Sequence, residues 1–464
     1  MKSSVGGGRG AFFGASRVML GLMLMLVATG CARKSVAPGL HEAAPVWTDA
    51  DRARNLESFD HVWETIRDRH FDPTFGGLDW DAVRDELRPK VEAAESVAAA
   101  RVVMRDMVGR LDLSHFSVFP AAAYAALDPA TEAGRRLGVP GFDVRVFDGA
   151  ALVTRVVADS PAARGGVRPG WELVRVREEV LRPILAEINQ QFADSSLLEA
   201  RLRGAVMGRM RRNVGARVPL EFRDATGNIV KRDVTLIAPT GKPSKFGNMP
   251  TQYVEVEQRL LDSDVVYFRL SEWFDPMTVM PALRGAVRDH PDAAGFVFDL
   301  RGNPGGIGGL TMGAAGLFVG KAGEFLGTMK MRDSELRFAV NPQARRYSGP
   351  LAILVDGCSA SSSEFFCGGM KDLARARVFG RTTAGAALPS VIERLPNGDG
   401  FQYATADYFR SGGKRLEGVG VTPDVEITPT RAELLAGKDP ALEAATAWIQ
   451  TEHRRHPAAA DAIH

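Results

Sequence analysis

Cysteine is scarce in this sequence, three among 464 residues, too few for a disulfide-stapled scaffold. Net charge is nearly absent as well. Lys and Arg number 58 against 56 Asp and Glu, leaving +2, without the basic excess of a nucleic-acid-binding chain. The N-terminal apolar run, Val18 to Ala28, has eleven residues, short of the roughly 20 that a membrane-spanning helix needs. Cys-x-x-Cys, His-x-x-x-His and Gly-x-x-x-x-Gly-Lys-Ser/Thr patterns are missing, so neither a metal nor another cofactor is expected. What is present is ordinary for a globular chain: 45% hydrophobic and 25% charged residues. At about 150 residues per domain, the length points to roughly three domains.

The start of the chain has the pattern of an export signal. Lys2, Arg9 and Arg17 precede the apolar run with no acid among them, and Ala28-Thr29-Gly30 supplies the small residues of a cleavage site. Cys31 follows at once, which resembles a bacterial lipoprotein signal. The resemblance implies a signal peptide over 1–30, a lipid on Cys31 and a tether over 31–48. It places the protein in the bacterial cell envelope. Ala32 resembles the residue that follows the lipidated cysteine in outer-membrane lipoproteins, which implies a membrane anchor there, facing the periplasm.

Three regions follow. Residues 49–134 read as helical: Leu56, Phe59, Val62, Trp63 and Ile66 recur at three- and four-residue steps, as do Val83, Leu87 and Val91. Residues 135–240 read as a β domain. Strands are expected over 142–146, 151–157, 171–176, 218–222 and 230–237, with an inserted helix over 177–193 and another over 197–212. Residues 241–464 read as α/β. Buried-type strands are expected at 265–270, 295–300 and 351–355, a closing helix over 433–449, and fraying from 453 onward.

Two strand-turn-helix units carry the chemistry. Asp299-Leu-Arg-Gly-Asn-Pro-Gly-Gly306 and Val355-Asp-Gly-Cys-Ser-Ala-Ser-Ser-Ser-Glu364 each place small residues before a helix. Free N–H groups there can hold an oxyanion, and a serine with a base nearby can attack a carbonyl. Ser361 and Glu364 also have the spacing of a plain capping box. Of the eight histidines, His61 and His70 fall in or beside polar helical faces, and His453, His456 and His464 lie near the chain end. His115 differs, following Ser114 at the end of an apolar helix, although such a histidine, taken alone, is more often structural than catalytic. Cys358 and Cys367 can be read as a disulfide or as two buried thiols.

These motifs together resemble the tail-specific, or C-terminal processing, serine peptidases, over roughly residues 50–430. The resemblance implies a multidomain α/β chain with a helical N-terminal region, a PDZ-like β domain and a crotonase/ClpP-like α/β catalytic core. Ser359-Ala-Ser-Ser-Ser-Glu364 matches the nucleophile motif, making Ser361 the nucleophile. The residues 299–306 match the oxyanion-hole segment, implying N–H donors from Gly305 or Gly306 and from Ser362. The branch with a Ser-Lys dyad has a lysine where this chain has Ala386. The tricorn-like branch uses Ser, His and Glu with an auxiliary Ser. That pattern falls on Ser361, His115, Glu417 and Ser114. Gly138, Gly141 and Phe142 would form the peptide-binding loop of the PDZ-like domain, although Pro140 within it has no N–H to give. The implied activity is an endopeptidase acting on unstructured or C-terminal segments of exported proteins, with polypeptides as partners. The alternative is an inactive PDZ-bearing lipoprotein that binds protein tails.

Overall fold

The computed structural model describes residues 47–126, 137–245 and 251–455. The expected signal peptide, Cys31 and all but the last two residues of the expected tether lie outside the described residues.

Helix α1 (Asp49–Arg69) starts at a capping box in which Thr48 and Asp51 bond each other's backbone N–H. Helices α2 (Trp80–Glu92) and α3 (Val97–Gly109) are capped by Asp79 and Ser96. Their apolar stripes meet in one core built on Phe59, Val62, Leu87, Met104 and Met107. Trp63 and Trp80 each donate the indole N–H to the other's carbonyl, at 2.9 and 3.1 Å. His70 departs from the sequence reading. It is buried against Phe71, Phe75 and Phe116, because the chain turns inward just after α1. The short strand β1 (Ser117–Phe119) and helix α4 (Ala121–Ala126) follow.

The middle region is a sheet of β2 (Phe142–Phe147), β3 (Ala150–Val156), β4 (Glu172–Val176), β6 (Arg217–Arg223) and β7 (Ile229–Thr235), hydrogen-bonded in the order β2-β3-β4-β6-β7. Neighbours are antiparallel, and β5 (Glu179–Val180) adds to β4. Helix α5 (Pro161–Arg164) joins β3 to β4. Helix α6 (Leu181–Gln191) precedes α7 (Leu198–Arg209), and α7 packs along the edge strand β2.

A hairpin of β8 (Lys242–Ser244) and β9 (Gln252–Val254) leads into the last region. Its main sheet runs β10 (Val256–Leu260), β11 (Val265–Leu270), β12 (Gly295–Asp299), β15 (Leu351–Val355), β16 (Arg377–Gly380) and β20 (Val425–Glu426). Only β10 is antiparallel to its neighbour. Every residue of β12 and β15 is buried, as expected of parallel strands covered on both faces. Helices α8 (Pro276–Asp289), α9 (Gly309–Ala315) and α10 (Ser362–Asp372) share a core with one face. Helix α12 (Pro440–Arg455), after the short α11 (Arg431–Leu435), covers the other. The expected fraying from 453 is not seen as far as Arg455, where α12 remains helical. Cys358 and Cys367 are free and buried, so the disulfide reading is dropped.

Because β12 and β15 are adjacent and parallel, both motif-bearing turns emerge side by side at the carboxyl ends of the strands. That is where open α/β sheets bind ligands. The strands β13 (Phe325–Met331) and β14 (Glu335–Ala339) form a smaller sheet with β19 (Ala406–Arg410). A third sheet, β1-β18-β17, joins the helical region to the last one through β17 (Ser390–Arg394) and β18 (Gly400–Ala404). Asp399 anchors this junction. It takes two hydrogen bonds from Arg101 of α3, at 2.7 and 2.9 Å, and the Ala121 N–H at 3.0 Å. Asp399→Ala leaves Arg101 largely buried without its counter-charge. Stability is expected to fall by about 3 kcal/mol in urea unfolding. An unchanged midpoint would remove this pair as the anchor.

Candidate active site

Ser361 ends the turn after β15 and stands at the N-terminus of α10 with φ 53° and ψ −118°. A side chain resists that conformation, and holding it costs about 1–3 kcal/mol. The surroundings impose it. The Ser361 N–H is shared between the Ala386 carbonyl and Glu364 Oε2, both at 2.9 Å. Ser361 and Glu364 have the layout of a capping box, yet the hydroxyl makes no cap hydrogen bond. The Glu364 N–H bonds the Ser361 carbonyl at 2.7 Å instead.

Glu364 does more than cap. Its carboxylate is fully buried and accepts from Thr383 Oγ1 (2.6 Å), Gly385 N (2.8 Å), Ala386 N (3.0 Å) and Ser361 N. Burial pushes its carboxyl up to about 7. All four contacts are donors, and they oppose that push by favouring the ionised form.

The glycine turn after β12 closes over Ser361. A Cβ on Gly305 would lie 2.7 Å from Ser361 Cβ, so only glycine fits there. The expected donor role of Gly305 is corrected, since its N–H is taken by Asn303 Oδ1 at 2.9 Å. The N–H groups of Gly306 and Ser362 carry no hydrogen bond among the described residues. They flank Ser361 from the turn and from the first residue of α10, where the helix dipole adds positive potential. Ser362 Oγ bonds the Gly306 carbonyl at 2.9 Å, holding the two donors together.

The other three expected residues meet at one buried carboxylate. Glu417 accepts from the Ser114 N–H at 2.7 Å, from Ser114 Oγ at 2.9 Å and from the Ala387 N–H at 2.9 Å. Ser114 Oγ lies 2.6 Å from His115 Nδ1. Burial raises the Glu417 carboxyl and holds the His115 imidazole down at about 4, so the ring is neutral near pH 7. His115 itself sits at φ 62°. No hydrogen bond joins its ring to the Ser361 hydroxyl among the described residues. The segment 386–387 bridges the two groups, bonding Ser361 through the Ala386 carbonyl and Glu417 through the Ala387 N–H. Lys371 lies at the far end of α10, paired with Asp424 at 2.8 Å.

Sequence reasoning missed the supports of these turns. Asp356 Oδ1 accepts the N–H groups of Gly302 (2.8 Å) and Cys358 (3.0 Å), tying the glycine turn to the serine turn. Arg145 of β2 reaches Asp356 Oδ2 at 2.8 Å. Glu199 of α7 accepts the Gly357 N–H at 3.2 Å and pairs with Arg381 at 3.1 Å. Donor atoms of Glu199, Asp356 and Cys358 lie within 4.8 Å of one another. Two guanidinium groups already neutralise those carboxylates, and burial pushes the Cys358 thiol up, keeping it protonated. A metal ion therefore has poor claim on the cluster. The position of Asp356 directly after a buried strand was the one available signal.

In the β domain, the expected peptide loop is partly engaged. The Gly138 N–H is committed to the Arg212 carbonyl at 2.8 Å, and the Phe142 side chain lies in the core. Gly141 adopts φ 76° beside Ser160. Between β2 and α7, Arg203 Nε donates to Asp143 Oδ1 at 2.9 Å.

Residues 264–427 match the model of peptidase family S41, and residues 51–109 that of the tricorn protease C1 domain. Carboxyl-terminal-processing peptidase 3, chloroplastic, of Arabidopsis thaliana is 25% identical over 90% of this chain and 80% of that protein. A tricorn protease homologue of Streptomyces coelicolor is 26% identical over 88% of this chain, but only 32% of its own length. Among solved structures, the photosystem II D1 C-terminal processing protease superposes with a TM-score of 0.57 at 20% identity, covering 85% of this chain and 97% of that one. Mature CPAF does so at 0.60 and 14%, covering 87% and 97%. These two show a shared fold.

Glu364→Gln tests the support of the serine turn. An amide would set its NH2 against N–H donors. Urea unfolding is expected to show a loss of about 3 kcal/mol. A loss under about 1 kcal/mol would mean that the four bonds do not hold the turn.

Proposed function

We propose that this chain, a serine-type peptidase whose residues 264–427 match the model of peptidase family S41, is a tail-specific endopeptidase cutting unstructured or C-terminal segments of exported proteins. One observation carries the reading. A relay from Glu417 through Ser114 to His115 is tied by the segment 386–387 to a strained serine flanked by two backbone N–H groups that carry no hydrogen bond among the described residues.

In the proposed reaction, Ser361 Oγ attacks the scissile carbonyl while His115 Nε2 accepts its proton. Nδ1–H donates to Ser114 Oγ, and Ser114 donates to Glu417. This fixes the tautomer that leaves Nε2 basic and stabilises the imidazolium as it forms. The carbonyl oxygen gathers negative charge between the N–H groups of Gly306 and Ser362, where one such donor is worth roughly 3 kcal/mol in comparable sites. His115 returns the proton to the departing amine. Water, deprotonated by the same ring, then releases the acyl group from Ser361. Substrate binding draws Ser361 and His115 into contact, since catalytic hydrogen bonds often tighten only in the complex.

The core is read as crotonase/ClpP-like and the β domain as PDZ-like. In that domain a substrate tail would add to the edge of β2, once the Asp143–Arg203 pair gives way. The N-terminal pattern supports a signal peptide and a lipid on Cys31, anchoring the enzyme in the bacterial envelope, at the outer membrane facing the periplasm. Expressed with its signal in a bacterial host, the chain is expected to sediment with membranes and take up labelled palmitate. Cys31→Ala should lose both, and membrane-bound Cys31→Ala would contradict the anchor.

The catalytic reading is tested with a soluble form beginning after Cys31, incubated with an unfolded protein. Ser361→Ala and His115→Ala should each lower turnover by at least about 1000-fold, while Lys371→Ala retains most of it. Loss with Lys371→Ala alone would transfer the base to the lysine. Since burial depresses the His115 imidazole, kcat/KM should hold as pH falls through 6.5, the usual imidazole value, and drop only toward 4. An acid limb near 6.5 would contradict that burial.

A further inference from the structure

Glu272 lies in the stretch that leaves β11 and runs beside the glycine turn. Its neighbour Trp273 donates its N–H to the Gly305 carbonyl at 2.8 Å and pairs with Gly306. The Trp273 ring turns inward and donates to Ser363 Oγ at 3.1 Å. Glu272 is half-buried. Among the described residues it has no hydrogen bond and no ion pair. The charge it feels is Arg203 of α7, on the β domain, and Arg203 is already engaged by Asp143 at 2.9 Å. Water reaches part of the Glu272 surface, yet protein crowds it closely enough to push the carboxyl up to about 8. Glu272 is thus a half-buried carboxylate without a partner among the described residues, one residue from the backbone that bonds the glycine turn.

The glycine turn beside it adjoins the reacting centre. Gly305 touches Ser361, and Gly306 carries one of the two free N–H groups. Neighbouring extended segments are about 4.8 Å apart, within reach of a glutamate side chain. A crowded carboxylate without a partner is costly in the empty protein. One carboxylate is too few donors for a metal ion. It suffices for an ammonium or guanidinium group arriving on a flexible stem.

We propose that Glu272 is a specificity-determining residue, forming an anionic subsite that takes a lysine or arginine side chain of the substrate close to the scissile bond. This rests on the peptidase reading above and deepens it. The carboxylate and the arriving cation complete each other as the substrate chain lies along the Trp273–Gly306 edge.

The soluble form is used to digest an unfolded protein containing many Lys and Arg residues, and the new ends are counted by mass spectrometry. Lys and Arg should be enriched at one fixed position beside the cut. In Glu272→Gln, cleavage at those sites should fall at least about tenfold relative to cleavage at sites flanked by apolar residues. Glu272→Lys should shift the preference toward Asp and Glu. An unchanged spectrum in Glu272→Gln, or an equal loss at every site, overturns the proposal. Wild-type cleavage without a basic preference overturns it alone. A folded wild type that cuts nothing overturns the peptidase reading and this proposal with it.

Discussion

The structure of the site depends on one buried carboxylate, Glu417. It accepts three hydrogen bonds, two from Ser114 and one from the Ala387 N–H. Ser114 belongs to the end of the helical region, 303 residues away in sequence. The bonds therefore pin the helical region to the core at Ser114 and His115. An ionised carboxylate out of water is costly unless donors surround it, and burial does raise this one. Three donors offset the cost and leave little freedom for the His115 ring that the same Ser114 orients.

The serine turn is held by the same logic from the other side. Ser361 occupies a backbone conformation that no side chain prefers. Glu364 gathers the loop 383–386 around it, and Asp356 ties its start to Gly302. Strain at one residue persists because several buried polar groups over-determine the turn. Arg145 and Glu199 extend the network into the β domain. The serine turn thus takes support from the β domain as well as from the core.

Much of this was legible in the residues. Turn-bounded runs rich in β-branched and aromatic residues located the strands of the β domain, and apolar-rich runs located β11, β12 and β15. Their parallel adjacency then brings the two glycine- and serine-rich turns together. The family resemblance pointed to Ser114, His115 and Glu417 as partners, and the fold brings these three into contact. Other features left no local trace. Arg145 and Asp356 are 211 residues apart, and no periodicity reports such a pair. His70 sits beside charged residues in sequence, yet the turn after α1 buries it. Gly305 has the composition of an oxyanion donor. Its N–H is spent on Asn303, a choice made by loop geometry alone. Glu364 has the spacing of an ordinary cap, and only the packing of 383–386 shows its larger task.

The central claim is that Ser361 is a nucleophile activated by His115. Covalent labelling tests it without any assumption about substrate. The soluble chain is treated with a fluorophosphonate and digested, and the modified residue is located by mass spectrometry. The account predicts a single adduct on Ser361, approaching one per chain, with the labelling rate reduced at least about 100-fold in His115→Ala. A folded protein that takes no label on Ser361, or labels equally fast without His115, would contradict it.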